Sequence, residues 1–149
     1  MVILVHHADA VDAAIDPQRP LSAIGREQAA LVGGALAART VKPACVWHSG
    51  KLRARQTAET IWRACNPLAE LAAIRGLLPD DPPDWIRDRL AAESREVVVV
   101  GHMPHLPRVL QVLVRSADNE KVDFPAHGAI ALEEVGERWV ERWRVAVTT

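Results

Sequence analysis

Two histidines each follow a short apolar run. His7 comes after Val2-Ile3-Leu4-Val5-His6, and His102 after Val97-Val98-Val99-Val100-Gly101. A neutral imidazole is a competent nucleophile near pH 7. Attack on phosphorus needs an in-line approach and positive groups around the equatorial oxygens. Arginine suits those oxygens because its planar fork donates two hydrogen bonds at once. The segment Ser49-Gly50-Lys51-Leu52-Arg53-Ala54-Arg55-Gln56-Thr57 offers such arginines where a strand passes into a helix, a position that favours anions. Arg53 falls in the first turn and can point back toward the strand ends. Arg55, about 200° around the helix, should point elsewhere.

The elements that must position these groups alternate strand and helix, the pattern of an α/β fold. Strands as apolar as Val2–His6 and Val97–Gly101 are normally buried on both faces of a helix-covered sheet, and ligands bind at the carboxyl ends of such strands. Between them the sequence predicts a loop through Asp16-Pro17-Gln18-Arg19-Pro20 and a helix capped by Ser22 and running to Ala38. A strand at Cys45–Trp47, a helix from Leu52 to Cys65 and a short strand at Ala72–Ile74 follow. Next come a Pro- and Asp-rich loop and a helix from Asp84 to Ala92. After the Val97 strand, Pro104 opens a helix to Val114, and Asn119–Pro125 reads as loop. Ala129–Val135 and Trp139–Val147 alternate apolar and polar residues around Gly136, a hairpin closing one sheet edge. In that pattern Trp139 and Trp143 share a face and pack on a helix.

The 149 residues, 49% hydrophobic, suit one domain spanning 1–149. A net charge of -1 leaves no global field for nucleic acid or membranes, so an anion site has to be local. Cys45 and Cys65 form no metal or redox motif and read as buried free thiols. The N-terminal apolar run is too short for a secretory h-region or a membrane span, so a cytoplasmic location is expected.

The motifs taken together resemble the histidine phosphatase superfamily, in particular its small phosphohistidine phosphatase branch, the SixA type. Arg19-Pro20-Leu21-Ser22-Ala23-Ile24-Gly25 is similar to that branch's Arg-Pro-Leu-Thr-x-x-Gly. The Ser49–Thr57 segment is similar to Ser-Pro-x-x-Arg-Ala-x-Gln-Thr, and Val100-Gly101-His102-Met103-Pro104 to its strand-Gly-His-x-Pro. The resemblance covers nearly the whole chain. It implies a three-layer α/β/α, phosphoglycerate-mutase-like fold with a central, mostly parallel sheet and an antiparallel C-terminal edge hairpin. It also implies a phosphohydrolase acting through a covalent phosphohistidine, with a phosphorylated protein or a small phosphorylated compound as substrate and no metal or organic cofactor. His7 would be the nucleophile, with Arg53 and His102 neutralising the phosphoryl oxygens. Arg19 would contact the phosphate or its surroundings, and a backbone amide near Gly128 would close the pocket.

Two departures from the pattern bear on activity. The family opens with Arg-His-Gly where this chain has His6-His7-Ala8. His6 thus stands where the family places a phosphate-binding arginine, with fewer donors and a charge that depends on pH. It either binds the phosphate or points away, since strand neighbours face opposite sides. The second departure is the general acid. Its position falls near Gly76, and the nearest carboxylates, Asp80 and Asp81, fit better as a solvated loop. A phosphorylated imidazole tolerates a missing acid better than a phosphate ester does. Two other functions compete: a phosphate-binding member of the same fold without turnover, and a metal site drawing on His6, His7, Asp9, His102 and His105. The remaining histidines, His48, His105 and His127, read as surface or pocket-rim residues.

Overall fold

Runs of β-branched residues form the middle of a six-stranded sheet, and the helices between them cover it. A computed structural model describes residues 1–115 and 122–148. The elements are β1 (Val2–His6), α1 (Ala23–Ala38), β2 (Cys45–His48), α2 (Leu52–Cys65) and β3 (Glu70–Ala73). They continue with α3 (Pro83–Ala91), β4 (Val97–Gly101), α4 (His105–Val114), β5 (Ala129–Val135) and β6 (Arg138–Val145). The strand order is β3-β2-β4-β1-β5-β6. The first four strands of that order are parallel, while β5 runs antiparallel to β1 and β6 antiparallel to β5. This is the α/β sandwich with an antiparallel edge hairpin that the sequence implies. Of the expected loop Asn119–Pro125, positions 119–121 lie outside the described residues, and Val122–Pro125 carries no helix or strand.

The two faces of the sheet are covered by different helices. Ile3, Val5, Val46, Val98 and Val100 pack against Val32 and Leu36 of α1 and Ala54, Ala58 and Ile61 of α2. Leu4, Trp47, Val97 and Val99 pack against Ile86 and Leu90 of α3 and Leu106, Val109 and Leu113 of α4. Both faces of β4 are therefore dry, and each of its valines contributes about 1.5–3 kcal/mol of burial. Ser22 caps α1 as its sequence position suggests, its hydroxyl accepting the Gly25 N–H at 3.0 Å. The edge strand β3 starts two residues earlier than expected, because Glu70 to Ala73 pair with Cys45 to His48.

The C-terminal hairpin corrects one expectation. Trp139 packs with the α3/α4 layer, but Trp143 packs with the α1/α2 layer. A register shift places Ala131 opposite Trp143 and Leu132 opposite Glu141. The extra residue at this bulge inverts the alternation, so two tryptophans four positions apart end on opposite faces.

Candidate active site

The register of the central strands decides which side chains meet. His6 lies opposite Gly101 in the β1–β4 pair, and Val100 lies opposite His48 in the β4–β2 pair. Three neighbouring parallel strands thus end at one level, and the residues that follow them, His7, His102 and Ser49, converge there. Both ends of the pattern are held by the backbone: the His7 N–H donates to the Gly101 carbonyl at 3.0 Å, and the His6 N–H to the Gly128 carbonyl at 3.0 Å.

Four imidazoles gather at this edge. The His7 ring lies 5.0 Å from that of His102 and 4.6 Å from that of His6, centroid to centroid. His127 stacks on His6 at 4.7 Å with a 12° interplanar angle and lies 6.3 Å from His7. His6 does not point away from His7. It is the last residue of β1, and strand alternation no longer governs the residue after it. His6, His7 and His102 are all buried.

The hydrogen bonds fix the protonation of the rings. His7 Nδ1 lies 2.7 Å from the Ala8 carbonyl oxygen. A carbonyl only accepts, so Nδ1 carries the proton and the neutral ring keeps its lone pair on Nε2. Likewise the His127 ring donates from Nδ1 to the His7 carbonyl at 2.8 Å. His6 is arranged the other way: its Nδ1 accepts the His127 backbone N–H at 2.8 Å, which puts its proton on Nε2. His102 Nε2 lies 2.6 Å from the Ser49 hydroxyl.

Burial chiefly, and then neighbouring positive charge, holds three of these rings neutral. The pKa of His7 is pushed down to about 4, with Arg53, His127 and Arg19 adding to the effect of burial. Those of His6 and His102 are pushed down to about 3. Each of the charged neighbours acting on the three rings is a cation or another imidazole, and no carboxylate is among them. Burial and the nearby Arg19 also lower the pKa of Arg53. The surroundings of the three rings are thus positive and suited to an anion.

The loop after His7 and the helix α2 hold the arginines in place. The Ala8 N–H donates to the Thr57 hydroxyl at 3.0 Å, and that hydroxyl donates to the Arg53 carbonyl at 2.8 Å. The Val11 N–H donates to the Pro20 carbonyl at 2.8 Å and the Ser22 N–H to the Asp9 carbonyl at 3.0 Å. These bonds fold the loop back and carry Arg19 toward His7, with the Arg19 Nε donating to the Val11 carbonyl at 3.1 Å. Gly25 permits this closure, because a Cβ there would fall 1.9 Å from the Asp9 carbonyl oxygen. Arg53 Nε and His102 Nδ1 are buried without a hydrogen-bond partner among the described residues. Arg55 points away and pairs with Glu59 at 3.3 Å.

Several sequence readings change. Gly128 presents no free amide, since its N–H donates to the Pro125 carbonyl at 3.0 Å. It matters instead for close packing, as a Cβ there would lie 2.2 Å from the Val145 carbonyl oxygen. His48 and His105 are not at the surface: they are 5% and 0% exposed. His48 ends β2 and His105 opens α4. His127, read from the sequence as a surface or pocket-rim residue, belongs to the cluster. Asp81 accepts the Leu78 N–H at 3.0 Å, and with Asp80, Lys51 and Arg53 it lines a cleft of about 370 Å³. Among the described residues no group of histidine, cysteine or carboxylate side chains is arranged to hold a metal. The Nδ1 atoms of His6, His7 and His127 are already engaged with the backbone. The cysteines are free, Cys45 buried and Cys65 half-buried.

Known structures share this fold. The SixA protein histidine phosphatase solved with tungstate is 24% identical over 97% of this chain and 96% of its own, with a TM-score of 0.84. A protein assigned as the phosphohistidine phosphatase SixA of Agrobacterium tumefaciens is 24% identical over 99% and 97%, with a TM-score of 0.83. One assigned likewise from Nakamurella multipartitia is 25% identical over 99% and 96%, with a TM-score of 0.80. No curated protein sequence matches the chain. The sequence model of the histidine phosphatase superfamily (branch 1) matches residues 4–77, the stretch that holds His6, His7, Arg19 and Arg53. The matched stretch and the fold thus both liken the chain to the histidine phosphatase superfamily.

Proposed function

We propose that the protein is a phosphohydrolase that passes the phosphoryl group through His7 and acts on phosphohistidine of a protein substrate. The observation that carries this reading is the His7 ring: its Nδ1–H is bonded to the Ala8 carbonyl, so a neutral Nε2 is available as a nucleophile beside Arg53 and His102. Near pH 7 burial keeps that lone pair free of a proton. The Nε2 lone pair forms a bond to phosphorus as the substrate's P–N bond breaks, and the departing imidazole keeps the electron pair and takes a proton. Water then attacks the phosphohistidine, releasing inorganic phosphate and restoring His7. Arg53, with its buried unpartnered Nε, Arg19 and His102 receive the equatorial oxygens. Among the described residues the charged groups that act on the His6, His7 and His102 rings include no carboxylate, which favours a leaving group that accepts its own proton over a phosphate ester. Asp80 and Asp81, on the cleft wall, are left for substrate contacts. The reading needs no metal or cofactor, one folded unit over 1–149 and a cytoplasmic partner.

Incubation with a phosphohistidine peptide, acid-sensitive labelling of the protein and a His7→Ala control test this directly. Label on His7 and release of phosphate are expected, and faster hydrolysis of a serine phosphate ester than of phosphohistidine would refute the substrate assignment. A second reading, phosphate binding without turnover, draws on His6. Its Nδ1 is an acceptor and its ring is neutral, so it cannot supply an arginine's charge. Phosphate binding without label or turnover would favour that reading, and a large gain in rate from His6→Arg would identify His6 as the cause.

A further inference from the structure

We propose that His127 is a protonatable phosphate ligand of this site, supplying on demand the positive charge that His6 cannot. The inference rests on the phosphate-site reading above. It follows from which ring nitrogen each bond occupies.

A phosphoryl dianion at the His7 edge draws a proton onto a nearby imidazole. His6 is blocked from taking it. Its Nδ1 accepts the His127 backbone N–H, and a proton there would set two donors face to face and orphan a buried N–H. His127 has no such conflict. Its Nδ1–H donates to the His7 carbonyl, a bond that persists when the ring is charged, and its Nε2 has no hydrogen-bond partner among the described residues. Proton uptake at Nε2 turns that atom from an acceptor into a charged donor. The cation then rests on the neutral His6 ring, 4.7 Å away and within 12° of parallel, a contact favourable for a cation over an aromatic face.

The backbone is consistent with a purpose-held residue. His127 sits at a φ of 56°, a left-handed conformation uncommon for residues other than glycine. It is kept there by three bonds: its own N–H to His6, its ring to His7, and the adjacent Gly128 carbonyl to the His6 N–H. The same residue therefore orients His6 and braces the nucleophile's peptide.

Its ring neighbours are His6 and His7 at the end of β1, and Arg53 from the start of α2 and Arg19 from the loop before α1 act on those rings in turn. Among the described residues these are all cationic or neutral, and His6 and His7 respond to Arg53 and His127 together. An anion at the site favours the charged form of a nearby imidazole, so binding and protonation are linked.

Sulfate is the suitable probe because it is a tetrahedral dianion that does not itself titrate in the working range. Calorimetric binding to the whole protein between roughly pH 5.5 and 8 should weaken with rising pH, by at most about tenfold per unit for one coupled proton. In the wild-type protein at roughly pH 6.5, sulfate should move the His127 ring resonances to their protonated positions while those of His6 stay neutral. His127→Asn keeps a side-chain N–H for the His7 carbonyl and tolerates a positive φ. It should bind sulfate more weakly and without the pH slope. Neutral His127 resonances with sulfate bound, or an unchanged slope in His127→Asn, would overturn the proposal and leave the phosphate site standing. No sulfate binding at any pH would remove both.

Discussion

Thr57→Val removes one hydroxyl from the link between the nucleophile's loop and the arginine helix while keeping the side chain's shape. Thr57 is 1% exposed. Its oxygen is the acceptor for the buried Ala8 N–H at 3.0 Å and the donor to the Arg53 carbonyl at 2.8 Å. A buried N–H left without a partner costs about 1–3 kcal/mol. The lost bond to Arg53 costs less, about 0.5–1 kcal/mol, because that carbonyl lies inside a helix and keeps its backbone bond. The sum is about 1.5–4 kcal/mol, which lowers Tm by roughly 3–16 °C in a chain of this length. Thr57→Ser keeps both bonds and gives up one methyl group, for about 1 kcal/mol. Chemical denaturation of the three proteins gives the comparison, with phosphohydrolase activity assayed beside it. Valine is expected to be the less stable substitution and to lose activity through displaced His7 and Arg53, with KM for the phosphorylated substrate rising. If valine were as stable as serine, the bridging role of the hydroxyl would be wrong.

Gly25→Ala puts a Cβ against the Asp9 carbonyl, where no flexible side chain can give way. A loss of 2 kcal/mol or more is expected from about 1–3 kcal/mol of overpacking plus the broken loop closure, and a change under about 0.5 kcal/mol in urea unfolding would refute it. His6, His7 and His102 have folded pKa values of about 3, 4 and 3, below the usual 6.5 or so of the unfolded chain. The unfolded state therefore binds more protons in this window. Stability is full above about pH 6.5 and falls toward pH 4, by up to about 1.4 kcal/mol per unit for each ring, and denaturation midpoints that stay level from pH 7 to pH 5 would contradict this. His105 is fully buried with neither ring nitrogen bonded among the described residues. Its replacement in His105→Leu should raise Tm by removing an unsatisfied polar group, by about 1–2 kcal/mol in stability. A lower Tm would point to a partner for that ring.

Much of the scaffold was legible because single physical rules act locally. Val97–Val100 is apolar at every position, which only a strand buried on both faces requires, and Ser22 announces a helix start through its hydroxyl. The meeting of His7 and His102 followed from their place after such strands, once parallel neighbours were assumed. What escaped the sequence depends on pairing between distant segments. His127 and His6 are 121 positions apart, and nothing local tells a turn histidine that it will stack on a strand-end histidine. His48 and His105 were misplaced because a histidine is at home both in water and inside. The faces of Trp139 and Trp143 were misjudged because one bulge residue, invisible to a period of two, inverts the count.

The level ends of β1, β4 and β2 have a consequence for when the protein becomes competent during its synthesis. The first 77 residues already contain His7, Arg19, Arg53 and the whole of β2 and β3, yet β1 and β2 do not touch one another in the sheet. β4 lies between them. A nascent chain that has not yet released Val97–Gly101 therefore has β1, which leads to the nucleophile, and β2, which leads into the arginine helix, without the strand that pairs with both. The same late strand that joins them delivers His102. Scaffold and site mature in one event rather than in sequence, governed by contacts of long loop closure.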